Sequence, residues 1–215
     1  MFNKNDFIKF LLDSQVLRFG DFTTKSGRKT PYFINTGQFR TGAQIKELSQ
    51  WYAKLYQHQF AGRVTNLYGP AYKGIPLATA MALQVSDMYG TDLSFTFNRK
   101  EAKDHGEGGI LVGDDYKYPQ QVLIVEDVIT AGTSVKETLQ ILGRIDQAKI
   151  IGLIISVDRK EALEDGRSAL QTVQEDYGIE VASIIDIEDI INFIHNVEHR
   201  RAYGLLDSPV ESMHA

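Results

Sequence analysis

Val122-Leu123-Ile124-Val125-Glu126-Asp127-Val128-Ile129-Thr130-Ala131-Gly132-Thr133-Ser134 is a buried-type strand that ends in two adjacent carboxylates and then runs through small residues into a helix. The first N–H groups of a helix lack intrahelical partners, and the helix dipole favours negative charge there, so this loop is a ready anion site. A plain strand-to-helix connection would account for Thr133 or Ser134 as an N-cap, with Glu137 near the third helical position. It would not account for Glu126-Asp127 followed by Thr-Ala-Gly-Thr. Two acids beside an anion site make sense if the ligand also carries hydroxyls or a metal ion. The other phosphate loops, G-x-x-x-x-G-K-[ST] and a helix-opening G-x-G-x-x-G, do not match, which weakens ATPase and dinucleotide-binding readings.

Outward from this segment, strands alternate with helices. Thr65–Tyr68 reads as a short strand, Gly74–Met88 as a helix, Leu93–Phe97 as a strand and Gln121–Val125 as the central strand. A helix over Thr133–Arg144, a long apolar strand over Ala148–Val157, a helix over Ser168–Tyr177, a strand over Val181–Ile185 and a helix over Glu188–Val197 follow. Before the alternation come an amphipathic helix within 4–17, carrying Phe7, Phe10 and Leu11, and a hairpin of Phe19–Thr24 and Thr30–Asn35. A helix from Gln44 to about Gln59 completes the set. This order predicts an α/β fold with a mostly parallel central sheet flanked by helices. Ligands of such sheets sit beyond the carboxyl ends of the strands, where Gly69-Pro70-Ala71-Tyr72-Lys73 and Glu126–Ser134 both fall.

The 215 residues suit one domain, 1–215, and a chain 43% hydrophobic and 24% charged can build a packed core. A net charge of −5 argues against a general nucleic-acid binder. With no cysteine there is no disulfide, no thiolate metal site and no cysteine catalysis. No apolar run of membrane-spanning length and no basic-then-apolar leader order occurs, so a soluble, cytoplasmic protein is expected.

Four other stretches bear on chemistry. Asn98-Arg99-Lys100-Glu101-Ala102-Lys103-Asp104-His105-Gly106-Glu107-Gly108-Gly109 crowds cations and glycines between two strand-like runs, Leu93–Phe97 and Ile110–Val112. A solvated charged loop is the plain reading. A lid over a polyphosphate, about 98–109, fits better, because long loops in small domains tend to be functional and Arg and Lys clamp phosphates. Lys73 at a helix start is mildly unfavourable against the dipole, which suggests an anionic partner. Lys25 in Lys25-Ser26-Gly27-Arg28, before Pro31-Tyr32-Phe33-Ile34, is either surface or site. Arg159, after Asp158, lies at a strand's carboxyl end and is nearly as well read as a surface ion pair. Asp114-Asp115 reads as a turn, the histidines 58, 195, 199 and 214 lack metal-ligand spacing, and Tyr116-Lys117-Tyr118 carries no legible chemistry.

Together these residues resemble the type I phosphoribosyltransferases, and among them the orotate phosphoribosyltransferases. Val122–Ser134 is similar to the superfamily's phosphoribosyl-pyrophosphate signature. Phe22-Thr23-Thr24-Lys25-Ser26-Gly27-Arg28 with Pro31-Tyr32-Phe33, Gly69-Pro70-Ala71-Tyr72-Lys73-Gly74-Ile75-Pro76, and Phe97–Glu101 through Lys103–Gly108 narrow it to the orotate branch. The match spans roughly residues 5–195 in order. The resemblance implies the type I fold, with a small hood from the N-terminal region (about 1–40) and the C-terminal part. It implies transfer of a 5-phosphoribosyl group from 5-phospho-α-D-ribose 1-diphosphate to orotate in pyrimidine synthesis. It also implies Mg2+ held mainly by substrate and water without a firm protein ligand, and a homodimer that shares its lids.

The resemblance also assigns roles. Thr130, Ala131, Gly132, Thr133 and Ser134 would hold the 5′-phosphate, with Val128 and Ile129 in the same binding segment. Glu126 and Asp127 would bind the ribose hydroxyls near developing positive charge. Tyr72 and Lys73 would face the pyrophosphate. Arg99, Lys103 and His105 would close over it from the neighbouring subunit, with Lys100 acting in its own. Arg99, Lys100, Lys103, His105 and Asp127 form the catalytic set. Lys25 would serve the ribosyl side, and Phe33, Ile34, Thr130 and Arg159 would line orotate. Two departures stand out: the acid pair is Glu-Asp where Asp-Asp is also common, and Ile34 replaces an aromatic often seen beside Phe33. The rivals are a phosphoribosyltransferase for another base, against which Arg159 and the Lys25 hairpin speak, and a non-catalytic regulator, against which the lid cations speak.

Overall fold

The computed structural model describes residues 2–23, 29–101, 109–129, 133–163 and 166–204. In chain order the elements are α1 (Lys4–Asp13), β1 (Leu17–Thr23), β2 (Lys29–Ile34), α2 (Gly42–Gln59), β3 (Asn66–Gly69), α3 (Gly74–Tyr89), β4 (Ser94–Asn98) and β5 (Leu111–Gly113). They continue with β6 (Gln120–Val125), α4 (Thr133–Leu142), β7 (Ala148–Asp158), α5 (Ala169–Tyr177), β8 (Glu180–Asp186), α6 (Ile187–His195) and α7 (Val197–Ala202). They form two compact units, Met1–Gln44 with Ile185–Ala215, and Ile45–Ile184.

The smaller unit draws on both chain ends, the segments expected to make a hood. Asn3 caps α1 by accepting the Asn5 N–H, and Phe7, Phe10 and Leu11 are buried as their spacing demands. The helix stops at Asp13, short of 17, because Gln15 turns left-handed at φ 57° and Val16 enters the approach to β1. β1 and β2 pair antiparallel, with a register shift between Phe19 and Phe22. α6 opens on a capping box made by Asp186 and Asp189, and Lys4 of α1 pairs with Asp189 at 2.7 Å.

The larger unit holds a six-stranded sheet of order β5-β4-β3-β6-β7-β8. β3 pairs parallel with β4 and β6, and β6 with β7, while β5 is antiparallel to β4 at one edge. Val122, Leu123, Ile124 and Val125 are fully buried, as a strand covered on both faces requires. One face carries α4 and α5: Ile124, Val135, Leu153, Ile155, Leu170 and Val173 share a cluster. On the other, Phe60, just after α2, covers Gly152: a methyl there would lie 2.5 Å from its Cε1 and 3.1 Å from Leu123. The register of β6 against β7 slips once, from Val122–Ile150 to Leu123–Gly152. Ile150, Leu153 and Ile155 therefore all face α4 and α5 despite their uneven spacing. Among the described residues no helix is long and apolar enough to cross a membrane.

Candidate active site

The strand order reverses between β3 and β6. β3 leads through α3 to β4 on one side, and β6 leads through α4 to β7 on the other, yet β3 and β6 are neighbours. A crevice opens at the carboxyl ends of such a pair. Both motifs singled out in the sequence sit there.

After β3 the chain turns tightly. A methyl on Gly69 would lie 2.2 Å from the Gly74 carbonyl oxygen, and the Gly74 N–H donates to the Pro70 carbonyl at 3.0 Å. Only glycine admits this approach. The turn places Lys73 at the start of α3, and its Nζ lies 2.9 Å from Asp127 Oδ2. A cation that the helix dipole disfavours is thus held by a carboxylate from the end of β6. The Ala71–Tyr72 peptide is cis, Tyr72 is exposed, and the Ala71 N–H donates to Asn98 Oδ1 at 3.0 Å. Lys100 Nζ stands 6.0 Å from the centre of the Tyr72 ring.

Glu126 and Asp127 are both buried. Burial, then the neighbouring Asp127 charge, raises the Glu126 carboxyl to about 7, although hydrogen bonds from the Asp127 N–H and the Ser134 side chain oppose this. The backbone around the pair is pinned. The Asp127 N–H donates to Glu126 Oε1 at 3.1 Å, and the Val128 N–H donates to Asp127 Oδ1 at 2.7 Å. Tyr52 of α2 donates its hydroxyl to the Glu126 carbonyl at 2.7 Å. The Asp127 carbonyl accepts from the Ser156 N–H at 2.9 Å and the Ser156 hydroxyl at 2.7 Å. β7 outruns β6, so its last residues continue the ladder onto the acids: the Glu126 N–H donates to the Ile154 carbonyl at 3.0 Å.

The remaining sequence candidates divide. Arg99 and Lys100 stand at the start of the segment expected to form a lid, where the Arg99 N–H donates to the Ile110 carbonyl and its guanidinium reaches the Gly109 carbonyl at 3.3 Å. Lys25, Lys103, His105, Thr130, Ala131 and Gly132 lie outside the described residues. Thr133 is described as the first residue of α4, and Ile129 is buried beside Val135 while Val128 is half-buried. Arg159 follows β7, the strand next to β6, and pairs with Glu161. Phe33 and Ile34 belong to the smaller unit. As neighbours on β2 they point to opposite faces: Phe33 stacks on Phe22 at 5.4 Å with Arg18 5.5 Å from its ring, while Ile34 shares a face with buried Tyr32.

Three further residues join the site unforeseen. Asn98, at the start of the segment expected to form a lid, anchors the loop after β3 by accepting the Ala71 N–H. Tyr52 sits in an apolar helical stripe that reads as core. Ser156 left one signal, a lone hydroxyl near the carboxyl end of the otherwise apolar Ile150–Val157. Tyr116 also proved structural: it is buried, donates to Asn66 Oδ1 at 3.0 Å and is raised to about 12 by burial first and the Asp114 charge last.

Comparison with known proteins agrees with this geometry. The phosphoribosyl transferase domain family matches residues 38–186. The orotate phosphoribosyltransferase of Lachnoclostridium phytofermentans is 46% identical over 192 residues, 89% of this chain and 85% of that protein. That of Actinobacillus pleuropneumoniae is 47% identical over 200 residues, 93% and 92% of the two chains. The crystal structure of the orotate phosphoribosyltransferase from Francisella tularensis superimposes with a TM-score of 0.81 at 37% identity, covering 95% of each chain. A match to the phosphoribosyl transferase domain over residues 38–186, on a chain this similar to its relatives over nearly its whole length, places the protein in the phosphoribosyltransferase family, within its orotate phosphoribosyltransferase branch.

Proposed function

We propose that this protein transfers the ribosyl 5-phosphate group from 5-phospho-α-D-ribose 1-diphosphate to orotate, releasing orotidine 5′-monophosphate and diphosphate, as a step of pyrimidine nucleotide synthesis in the cytoplasm. The observation that carries the reading is the meeting of Lys73 with Asp127, 2.9 Å apart at the adjoining ends of β3 and β6. It sets a cation for the leaving diphosphate beside a carboxylate for the ribose. The relatives named above support the choice of base.

The chemistry asks little covalent work of the protein, because orotate is the nucleophile. A ring nitrogen of orotate bonds to C1 of the ribose as the C1–O bond to diphosphate breaks; the C–O electron pair leaves with the diphosphate, and the proton of the ring N–H passes to water or to the departing diphosphate. Lys73, Tyr72, Lys100 and Arg99 bind and orient that leaving group, and Lys103 and His105 join them from the lid of a partner subunit in a homodimer. Asp127 binds ribose hydroxyls and offsets the positive charge that grows on the ring, with Glu126 beside it. The loop 130–134 grips the 5′-phosphate at the start of α4. Lys25, Phe33, Ile34 and Arg159 serve the orotate and ribosyl side, Arg159 as the cation for the orotate carboxylate. Lid closure excludes water, which would otherwise hydrolyse the activated sugar.

The Asp127 carboxylate, with Glu126 beside it, would suit magnesium reached through substrate oxygens and water rather than as a firm protein ligand, while Lys73 would share the diphosphate with the ion. Bound there, the ion would neutralise charge on the diphosphate.

The test is the loss of orotate absorbance with phosphoribosyl pyrophosphate and magnesium, run beside a panel of other bases. Turnover of orotate is expected. Turnover of hypoxanthine or adenine without orotate would overturn the assignment.

A further inference from the structure

Asp127 is gripped by its backbone on both sides. The peptide before it has its carbonyl, that of Glu126, capped by the Tyr52 hydroxyl at 2.7 Å. The same peptide's N–H is taken by Glu126 Oε1 at 3.1 Å. The peptide after it has its carbonyl held twice by Ser156, at 2.9 and 2.7 Å, and its N–H folded onto Asp127 Oδ1 at 2.7 Å. Tyr52 and Ser156 are each about 1% exposed, so no water competes for these bonds. With both flanking peptide planes fixed, the direction of the Asp127 Cα–Cβ bond is fixed too. Oδ1 is then occupied locally, and Oδ2 is aimed at Lys73.

We infer that Tyr52 and Ser156 are positioning residues for Asp127, acting through main-chain carbonyls to hold its carboxylate in the orientation that transfer requires. The inference rests on the role of Asp127 proposed above. Ordinary core packing does not need a tyrosine hydroxyl here, since phenylalanine would fill the same volume. Two donors from separate elements, α2 and β7, converge on consecutive peptide groups of the same short segment. A misplacement of a reacting group by about 1 Å can cost on the order of a hundredfold in rate, so a small loss of aim is measurable.

The experiment is a double-mutant cycle of Tyr52→Phe and Asp127→Asn, read as kcat/KM for phosphoribosyl pyrophosphate and as melting temperature. Tyr52→Phe should lower kcat/KM about tenfold in the wild-type background and less than twofold in the Asp127→Asn background, while lowering the melting temperature equally in both. A merely structural tyrosine would give the same fold loss in both backgrounds, and that result overturns the inference, as does a loss under twofold in the wild-type background. If Tyr52→Phe does not fold, Ser156→Ala runs the same cycle, because the Ser156 N–H still holds the Asp127 carbonyl. Wild-type turnover of orotate with a silent Tyr52→Phe sinks this inference alone. Wild-type failure on every base sinks the functional reading instead, and the cycle is then run on dissociation constants for magnesium and phosphoribosyl pyrophosphate by calorimetry, with the same criteria.

Discussion

Lys73 and Asp127 are 54 positions apart in the chain, and their side chains meet at 2.9 Å because β3 and β6 lie side by side in register. The lysine side chain is 60% exposed and the aspartate 13%, so the contact does little for stability and much for local charge.

Lys73→Gln should therefore lower kcat/KM for phosphoribosyl pyrophosphate by about a hundredfold, as loss of a preorganised charged donor does. The melting temperature should move little. Steady-state kinetics beside a thermal melt checks both. A large drop in melting temperature with intact kinetics would make the pair structural.

Glu126 gives a pH signature. Its carboxyl is raised from 4.5 to about 7 in the fold, chiefly by burial, so the native state holds a proton that the unfolded chain releases. That contribution is fully present below about 4.5 and is lost as pH rises through about 7. Its full span is on the order of a few kcal/mol. Glu126→Gln, which cannot ionise, should remove this decline, so that its stability relative to wild type improves from pH 5 to 8. Urea unfolding across that range tests it, and parallel curves would refute it.

Two glycines should part stability from function. A methyl at Gly152 meets only side chains, Phe60 at 2.5 Å and Leu123 at 3.1 Å. Gly152→Ala should cost about 1–3 kcal/mol by overpacking and leave kcat per folded molecule near wild type. A methyl at Gly69 meets the Gly74 carbonyl at 2.2 Å, so the loop carrying Tyr72 and Lys73 must shift. Gly69→Ala should raise the KM for phosphoribosyl pyrophosphate more than tenfold. Active-site titration with kinetics on both variants separates the outcomes.

On the lid role proposed for it, Lys103→Ala should lower turnover severely, by about a hundredfold or more, with little change in melting temperature. If lids are shared in a homodimer as proposed, mixing it with Asp127→Asn should restore activity, because a mixed dimer would regain one site with both residues intact. No recovery on mixing would argue against shared lids.

The layout of strands and helices was legible because apolar periodicity and turn residues agreed along the chain. Lys73 was legible as an oddity, a cation where a dipole opposes it. Tyr52 was not. Leu48, Tyr52, Leu55 and Tyr56 are all buried on α2, and a helical stripe gives no sign of which hydroxyl meets a carbonyl 74 residues away. The separate faces of Phe33 and Ile34 follow from period-two alternation along β2 and are legible in the sequence. The cut at Asp13 was hidden because Gln15 shows no intrinsic taste for the left-handed region.

The register slip in β7 sets an address. Counting by twos from Ile150 sends residue 156 toward α4 and α5, into an apolar cluster. The one extra residue between Ile150 and Gly152 inverts that parity, and Ser156 arrives on the side of Tyr52 instead. Deleting Ile151 would therefore leave the message readable: the ladder would close up, and Ser156, now an odd number of steps from Ile150, would keep its side. One residue inserted between Ile154 and Ser156 would be the frameshift in space: every letter downstream would survive, and the acid pair would lose its clamp.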